Sequence, residues 1–326
     1  MKRNHSVIIN FIALAGMGLL LSACSGGDGG GDAGTGSLSV GVTDAPVTED
    51  VDVCIHFTGI TLHHSDGDLI QIPYDASSYT DATDCIDNLP SGDPGSEDNA
   101  VNLSALQGEL SVQLVDSEEV KSGRYNWIRL DVVESLSYVM DSAGQQDLRC
   151  PSCEQSGLKL NQGIVVPAGG EADFMVDIEL AKSLNKRPNG EYTIRPTLRL
   201  IDQSQSGSIT GSVDAGLIPE TISEEDTGCK VYVYEGHDIT PDDYHATDNV
   251  LTSTKVLYDG DAYTYVAAYL ATDTDPTPYT VALTCDADDP EVDEDLIFTD
   301  GETDGTGQNA DAYTDQTTVV DFPPGT

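Results

Sequence analysis

Positive charge is what this chain has least of. Its 326 residues carry 14 Lys and Arg against 57 Asp and Glu, a formal net charge of −43. Nucleic acids and anionic lipid head groups are gripped by Lys/Arg clusters, so both are excluded as partners for the folded surface. Aromatic residues are also scarce at 6%, with a single tryptophan, Trp127. Any packed core must therefore be built from Val, Ile, Leu and Tyr. No apolar run reaches the roughly 20 residues that a membrane-spanning helix needs. The chain lacks a G-x-S-x-G elbow, an H-E-x-x-H helix, a P-loop and an EF-hand loop, so none of those chemistries has its scaffold. Ser, His and Asp do occur, but in a chain this long their co-occurrence says nothing about a triad. Acids are so abundant that any carboxylate pair chosen for glycoside chemistry is arbitrary. The expectation is a protein that is not an enzyme, with an unrecognised hydrolase as the outlying alternative.

What is present is informative at the N-terminus. Lys2 and Arg3 precede a run from Val7 to Leu21 that is short for a membrane span and is interrupted by Asn10, Gly16 and Gly18. A basic start, an apolar middle and small residues before a cleavage point make an export signal. The sequence Leu21-Ser22-Ala23-Cys24 resembles the lipobox of bacterial lipoproteins. That resemblance implies removal of residues 1–23 and a lipid on Cys24, which is then the chain's contact with the membrane. Residues 24–36 form a tether of Gly, Asp and small residues, flexible by composition. Ser25 after the cysteine resembles the outer-membrane sorting pattern, so the expected location is exported and lipid-anchored, at the periplasmic face or the cell surface. Loss of residues 1–23 leaves 12 basic against 57 acidic residues. That surplus reads as a solvated, salt-tolerant surface or as carboxylate-rich loops that bind divalent cations.

About 300 mature residues suggest two domains, and 38% hydrophobic content is too high for wholesale disorder. Period-2 alternation recurs between Gly/Asp/Asn/Pro turns. It predicts strands at Leu38–Thr43, Val51–Leu62, Leu69–Pro73, Arg124–Val133, Ser135–Asp141, Gly163–Val166, Glu171–Leu180 and Tyr192–Ile201. Short helical turns are expected after Val101 and at Leu180–Leu184. A polar, strandless break at Asp202–Gly207 is followed by expected strands at 207–213, Cys229–Tyr234, Lys255–Tyr258, Ala262–Ala271, Tyr279–Asp286, Asp295–Thr299 and Gln316–Phe322. Many short strands with few helices imply an all-β fold of two antiparallel β-sandwich domains, immunoglobulin-like or prealbumin-like, at 37–203 and 207–326.

An ordered series of segments resembles the bacterial lipoprotein domain of unknown function DUF4382. It runs through Gly36-Ser-Leu-Ser-Val-Gly-Val-Thr-Asp-Ala-Pro46, Val53 with Phe57-Thr-Gly-Ile60, Val101-Asn-Leu-Ser-Ala-Leu106 and Gly123-Arg-Tyr-Asn-Trp-Ile-Arg-Leu130. It continues through Gly157-Leu-Lys-Leu160, Asp177-Ile-Glu-Leu180 with Lys182-Ser183, and Tyr192-Thr-Ile-Arg-Pro196. Residues 207–326 resemble carboxypeptidase-regulatory-like or prealbumin-like sandwiches through Gly207-x-Ile-x-Gly-x-Val213, Asp259-Gly-Asp-Ala-Tyr263 and Thr317-Thr-Val-Val-Asp-Phe322. Neither family brings an activity, so the resemblance implies fold and location only.

With Cys24 lipidated, six cysteines remain in an oxidising compartment, an even number with fifteen possible pairings. Sequence position favours Cys54–Cys85, Cys150–Cys153 and Cys229–Cys285. Cys150-Pro-Ser-Cys153 also has the spacing of a redox motif or half a zinc site, without a second C-x-x-C or a nearby His. His63 and His64 are strand neighbours and point to opposite faces, so they do not share a metal simply. Thr43-Asp44-Ala45-Pro46 is the most distinctive local chemistry. Asp44 either caps backbone N–H groups in a turn or joins Glu49 and Asp50 around calcium, the one candidate cofactor. The acidic stretch 286–295 is a second, looser candidate. Arg129 and Arg195 stand out in strand-like runs, and Arg195 and Arg199 are expected to pair with acids such as Asp131 or Asp177, with a carboxylate-binding pocket as the minority alternative. The specific partner, protein or glycan, is not encoded in any motif, and only Trp127 and the tyrosines offer an aromatic platform. Calcium-dependent adhesion or glycan binding is the alternative to a purely structural role.

Overall fold

In the strand Thr35–Ala45, residues Leu38, Val40 and Val42 have no solvent exposure and all enter one core. Alternation alone dictates this, since side chains two apart share a face. Burying each contributes about 1.5–3 kcal/mol. The computed structural model describes residues 34–45, 51–74, 85, 100–151, 153–219, 227–244, 250–272, 276–287, 295–299 and 307–323. The expected export signal 1–23, Cys24, Glu49, Asp50, His245 and most of the acidic stretch 286–295 lie outside the described residues, and of the expected tether 24–36 the last two residues, Thr35 and Gly36, already belong to the first strand.

The protein is all-β. Thr35–Ala45 sits in a four-stranded sheet ordered Leu198–Asp202, Glu171–Glu179, Thr35–Ala45, Val112–Lys121. A ten-stranded sheet faces it, centred on Asp52–His64 and Gly123–Val132. The core between them joins Leu38, Val40, Val176 and Ile178 of the first sheet to Phe57, Ile60, Leu62, Ile128 and Leu130 of the second. Pairing is mainly antiparallel, but Thr35–Ala45 runs parallel to Glu171–Glu179, with Asp44 opposite Ile178.

From Ser206 onward a second pair of four-stranded sheets packs face to face. One has the order Leu257–Tyr258, Tyr263–Ala271, Ser206–Val213, Thr317–Val319. The other is Val250–Lys255, Lys230–Glu235, Thr277–Thr284, Gln308–Ala312. The Gly-x-Ile-x-Gly-x-Val pattern now has a physical reason. A Cβ on Gly207 would lie 2.3 Å from the carbonyl oxygen of Tyr313, and one on Gly211 would lie 1.8 Å from that of Val320. Only glycine lets the neighbouring backbone come this close. Strand Lys230–Glu235 is buried on both faces until its last residue. Val231 and Val233 enter the inter-sheet core, while Tyr232 and Tyr234 face an outer layer with Tyr244, Phe298 and Ala181. Because Ala181 belongs to the first half of the chain, the outer layer is also where the two sandwiches meet. Both belong to one compact unit beginning at Ala33.

The cysteines pair as Cys54–Cys85, Cys150–Cys153 and Cys229–Cys285. Several strand expectations need correction. The run Tyr192–Ile201 is two strands, Tyr192–Ile194 and Leu198–Asp202, placed in different sheets. Pro196 lacks the N–H that a continuous ladder would require. Ser135–Asp141 begins instead as a 3-10 turn, Glu134–Leu136, and becomes extended at Tyr138. Asp295–Thr299 supplies only an isolated bridge from Thr299 to Leu283. The expected strand Lys255–Tyr258 divides at Val256 between Val250–Lys255 and Leu257–Tyr258. Strand Val112–Lys121 was not legible, because Asp116-Ser-Glu-Glu119 interrupts the apolar alternation. Ser117 there takes a positive φ of 53°, and the pairing with Thr35–Ala45 shifts register beside it. The expected helical turns occur as Leu103–Ala105 and Leu180–Ser183.

A buried ionic joint as the candidate functional site

Strand Glu171–Glu179 sends Phe174, Val176 and Ile178 into the first core. Alternation therefore puts Met175, Asp177 and Glu179 on the opposite face. All three are buried there, Asp177 at 3% and Glu179 at 1% exposure. Acids are almost never this buried without partners. The partners come from three directions.

Arg199 lies directly across the antiparallel ladder from Asp177. Its Nε donates to Asp177 Oδ2 at 3.0 Å, and Nη2 donates to the same oxygen. Asp44, at the end of its own strand, accepts the Leu180 amide on Oδ1 at 3.0 Å. Glu179 makes no side-chain cap for the helical turn Leu180–Ser183, so Asp44 supplies that acceptor from another strand. Asp44 is itself held by its amide, which donates to the Leu106 carbonyl at 3.0 Å. Thr43 Oγ1 donates to the carbonyl of Leu110 at 2.8 Å. Ser183, fully buried, closes the turn. Its hydroxyl donates to the Glu179 carbonyl at 2.6 Å and accepts the Thr197 amide at 2.8 Å.

The second sandwich completes the site. Tyr244 Oη stands 3.2 Å from Glu179 Oε1 and 2.8 Å from Ser253 Oγ. A phenol has one proton to give. With Glu179 ionised the chain runs Ser253 to Tyr244 to Glu179, and with Glu179 protonated it runs in reverse. Lys182 Nζ donates to the Val250 carbonyl and lies over the Tyr244 ring, 5.4 Å from its centre. A further inter-sandwich bond runs from Tyr269 Oη to the Glu109 carbonyl at 3.1 Å.

Glu179 is the group most altered by these surroundings. Burial, followed by the charge of Asp177, pushes its carboxyl up to about 8, against the opposing pull of Arg199 and Lys182. Burial and the Glu179 charge in turn raise the Tyr244 phenol well above its ordinary range. Glu179 Oε2 and Asp177 Oδ1 have no hydrogen-bond partner among the described residues. Glu179 also borders a cavity of about 330 Å³, lined besides by Lys182, Thr197, Arg199, Glu235, Ile239, Val250 and Leu251.

The remaining sequence candidates fall elsewhere. Asp44 commits Oδ1 to a distant amide instead of a turn of its own, and no group of three or more His, Cys, Asp or Glu among the described residues is placed to hold a metal. Arg129 pairs with Asp131 at 2.6 Å, away from the joint, and Arg195 is exposed. Trp127 stacks on His63, ring centres 5.2 Å apart, with Lys159 over it at 4.2 Å. His64 faces the other side, buried, with Nδ1 2.7 Å from Asp66. Cys150 and Cys153 are buried in the first core. Glu179, Lys182, Tyr244 and Ser253 were not singled out by sequence reasoning. The readable trace was Asp177-Ile-Glu-Leu180, where two acids two apart on a strand must share a face.

Fold and joint together define an all-β protein whose distinctive chemistry lies between two sandwiches. Residues 35–196, just under half of the chain, match the family model described as domain of unknown function (DUF4382). Asp44, Leu106, Asp177, Glu179, Lys182 and Ser183 all come from the segments that carry the resemblance. No curated protein matches the sequence. Among solved structures, the Bacillus anthracis TIE protein aligns at 7% identity and a TM-score of 0.17, over 89% of this chain and 34% of that one. This chain thus spans about a third of that protein's length. A Bacteroides fragilis protein provisionally assigned to cell adhesion aligns at 8% identity and 0.21, over 87% and 92%. The shaft pilin spaA of Lactobacillus rhamnosus GG aligns at 9% and 0.17, over 89% and 98%. Overlaps this slight identify neither fold nor role.

Proposed function

We propose that this is a non-enzymatic protein of the bacterial cell envelope, exported, held to the membrane by a lipid on Cys24, and presenting its two sandwiches as one rigid binding body. The joint is the observation that supports this reading. Its ion pair, its cross-strand cap and its Glu179–Tyr244–Ser253 chain bind one sandwich to the other through buried polar contacts, which fix geometry more strictly than apolar contact does. Three disulfides suit an oxidising compartment. The acidic surface keeps such a body soluble and repels anionic membranes.

Metabolic labelling with radioactive palmitate tests the anchor. The wild-type chain should take up label and sediment with membranes, and Cys24→Ser should do neither. Protease treatment of intact cells then separates a surface-facing from a periplasmic body. Label retained in the Cys24→Ser protein would refute the anchor.

A further inference from the structure

The cavity at the joint contains a mismatch between groups already engaged and groups left over. Its two cations are committed: Arg199 to Asp177, and Lys182 to the Val250 carbonyl and the Tyr244 ring. Its carboxylates are only partly so, Glu179 giving one oxygen to Tyr244. Glu179 Oε2 has no hydrogen-bond partner among the described residues although the side chain is 99% buried, and Glu235 is exposed and forms no ion pair there. Asp177 and Asp44 add two more buried acids behind Glu179, so the inner group carries more acid than base. The apolar part of the lining is Ile239, Val250 and Leu251. Thr197 and Glu235 are exposed and mark the mouth. The volume, about 330 Å³, lies at the lower end of the range for small-molecule sites, and a seam between two packed units is where such sites form.

We propose that this cavity binds a small aliphatic diamine, one ammonium group donating to Glu179, the methylene chain against Ile239, Val250 and Leu251, and the second ammonium at Glu235. An ammonium offers three N–H donors and no acceptor, which matches the unpaired Oε2 of Glu179 and the exposed carboxylate of Glu235. Its positive charge also stabilises the ionised form of Glu179, which burial otherwise disfavours. A divalent metal fits less well, since the described acids do not converge as a ligand set. A diol matches the hydrogen bonds but does not stabilise an ionised Glu179. The net charge of −43 draws cations toward the protein as a whole, so specificity must be shown against diffuse attraction. The proposal goes beyond the envelope role and does not depend on the lipid.

Isothermal titration of the full-length protein in detergent with 1,4-diaminobutane, at 150 mM and 500 mM NaCl, tests it. A saturable single site present at both salt concentrations is expected, with 1,4-butanediol giving no heat. Glu179→Gln and, separately, Thr197→Trp should each weaken binding at least about tenfold. Thr197→Trp blocks the exposed mouth without touching the ion pair, which keeps the test decisive if Glu179→Gln folds poorly. Absence of a saturable site, equal binding by both variants, or equal binding of the diol would each overturn the proposal. None of these outcomes bears on palmitate labelling, so the two readings fail independently.

Discussion

Asp44 and Leu180 are 136 residues apart in the chain, and the carboxylate of one accepts the amide of the other at 3.0 Å. This contact fastens the end of strand Thr35–Ala45 to the helical turn that follows Glu171–Glu179. Asp44→Ala leaves a buried amide without its acceptor and should cost about 1–3 kcal/mol of unfolding free energy. Asp44→Asn keeps a carbonyl oxygen in place and should cost less. Urea denaturation ranks the two. Calcium titration of the same proteins separates a structural cap from a metal ligand. Under the structural reading, millimolar calcium leaves the difference in thermal midpoint between wild type and Asp44→Asn unchanged.

Arg199 and Asp177 form a pair with little solvent access, 19% and 4% by side chain. Arg199→Met strands a buried carboxylate beside a second one and should destabilise by about 3–5 kcal/mol. The double variant Arg199→Met/Asp177→Asn should recover much of that loss, because the stranded charge is gone. Chemical denaturation of the two proteins checks the non-additivity.

Glu179 gives the joint a pH dependence. Its folded carboxyl titrates near 8, above the ordinary value of 4.5. Between those values the folded state holds a proton that the unfolded state has released, so stability falls as pH rises through this window and levels off above about 8. Glu179→Gln should flatten that decline, with its advantage over wild type largest at pH 9 and smallest at pH 4. Urea midpoints across pH 4–9 for both proteins give the difference curve.

The disulfides should be unequal. Cys229–Cys285 closes a separation of 56 residues and Cys150–Cys153 one of three. In the chain-entropy account the first contributes about 4 kcal/mol and the second less than half as much. Paired Cys→Ala variants compared by thermal melting provide the measurement.

Gly211 should not tolerate a side chain. The oxygen that would clash with its Cβ belongs to the Val320 backbone and cannot swing aside. Gly211→Ala should therefore lower the melting temperature more than Gly41→Ala does. At Gly41 the obstructing atoms are the ends of the Gln113 and Met175 side chains, which can move.

Sequence alone determined the class of fold. Alternation in Leu38–Val42, Phe57–Leu62 and Phe174–Ile178 is a local property, readable because side chains two apart must share a face. The pair Arg199–Asp177 was legible for a related reason, since a lone cation in an acidic strand region has few other partners, whereas Asp131, expected for Arg195 or Arg199, pairs with Arg129. Strand Val112–Lys121 was hidden because its acidic bulge breaks the pattern, and the 192–201 break was hidden because period says nothing about which sheet a residue joins. The joint belongs to tertiary structure. Asp177 and Glu179 are visible as two acids on one face, but that face is solvated in isolation. Only docking of the second sandwich buries it, sets Tyr244 and Ser253 against Glu179, and raises the carboxyl through desolvation, a cost that no local sequence pattern records.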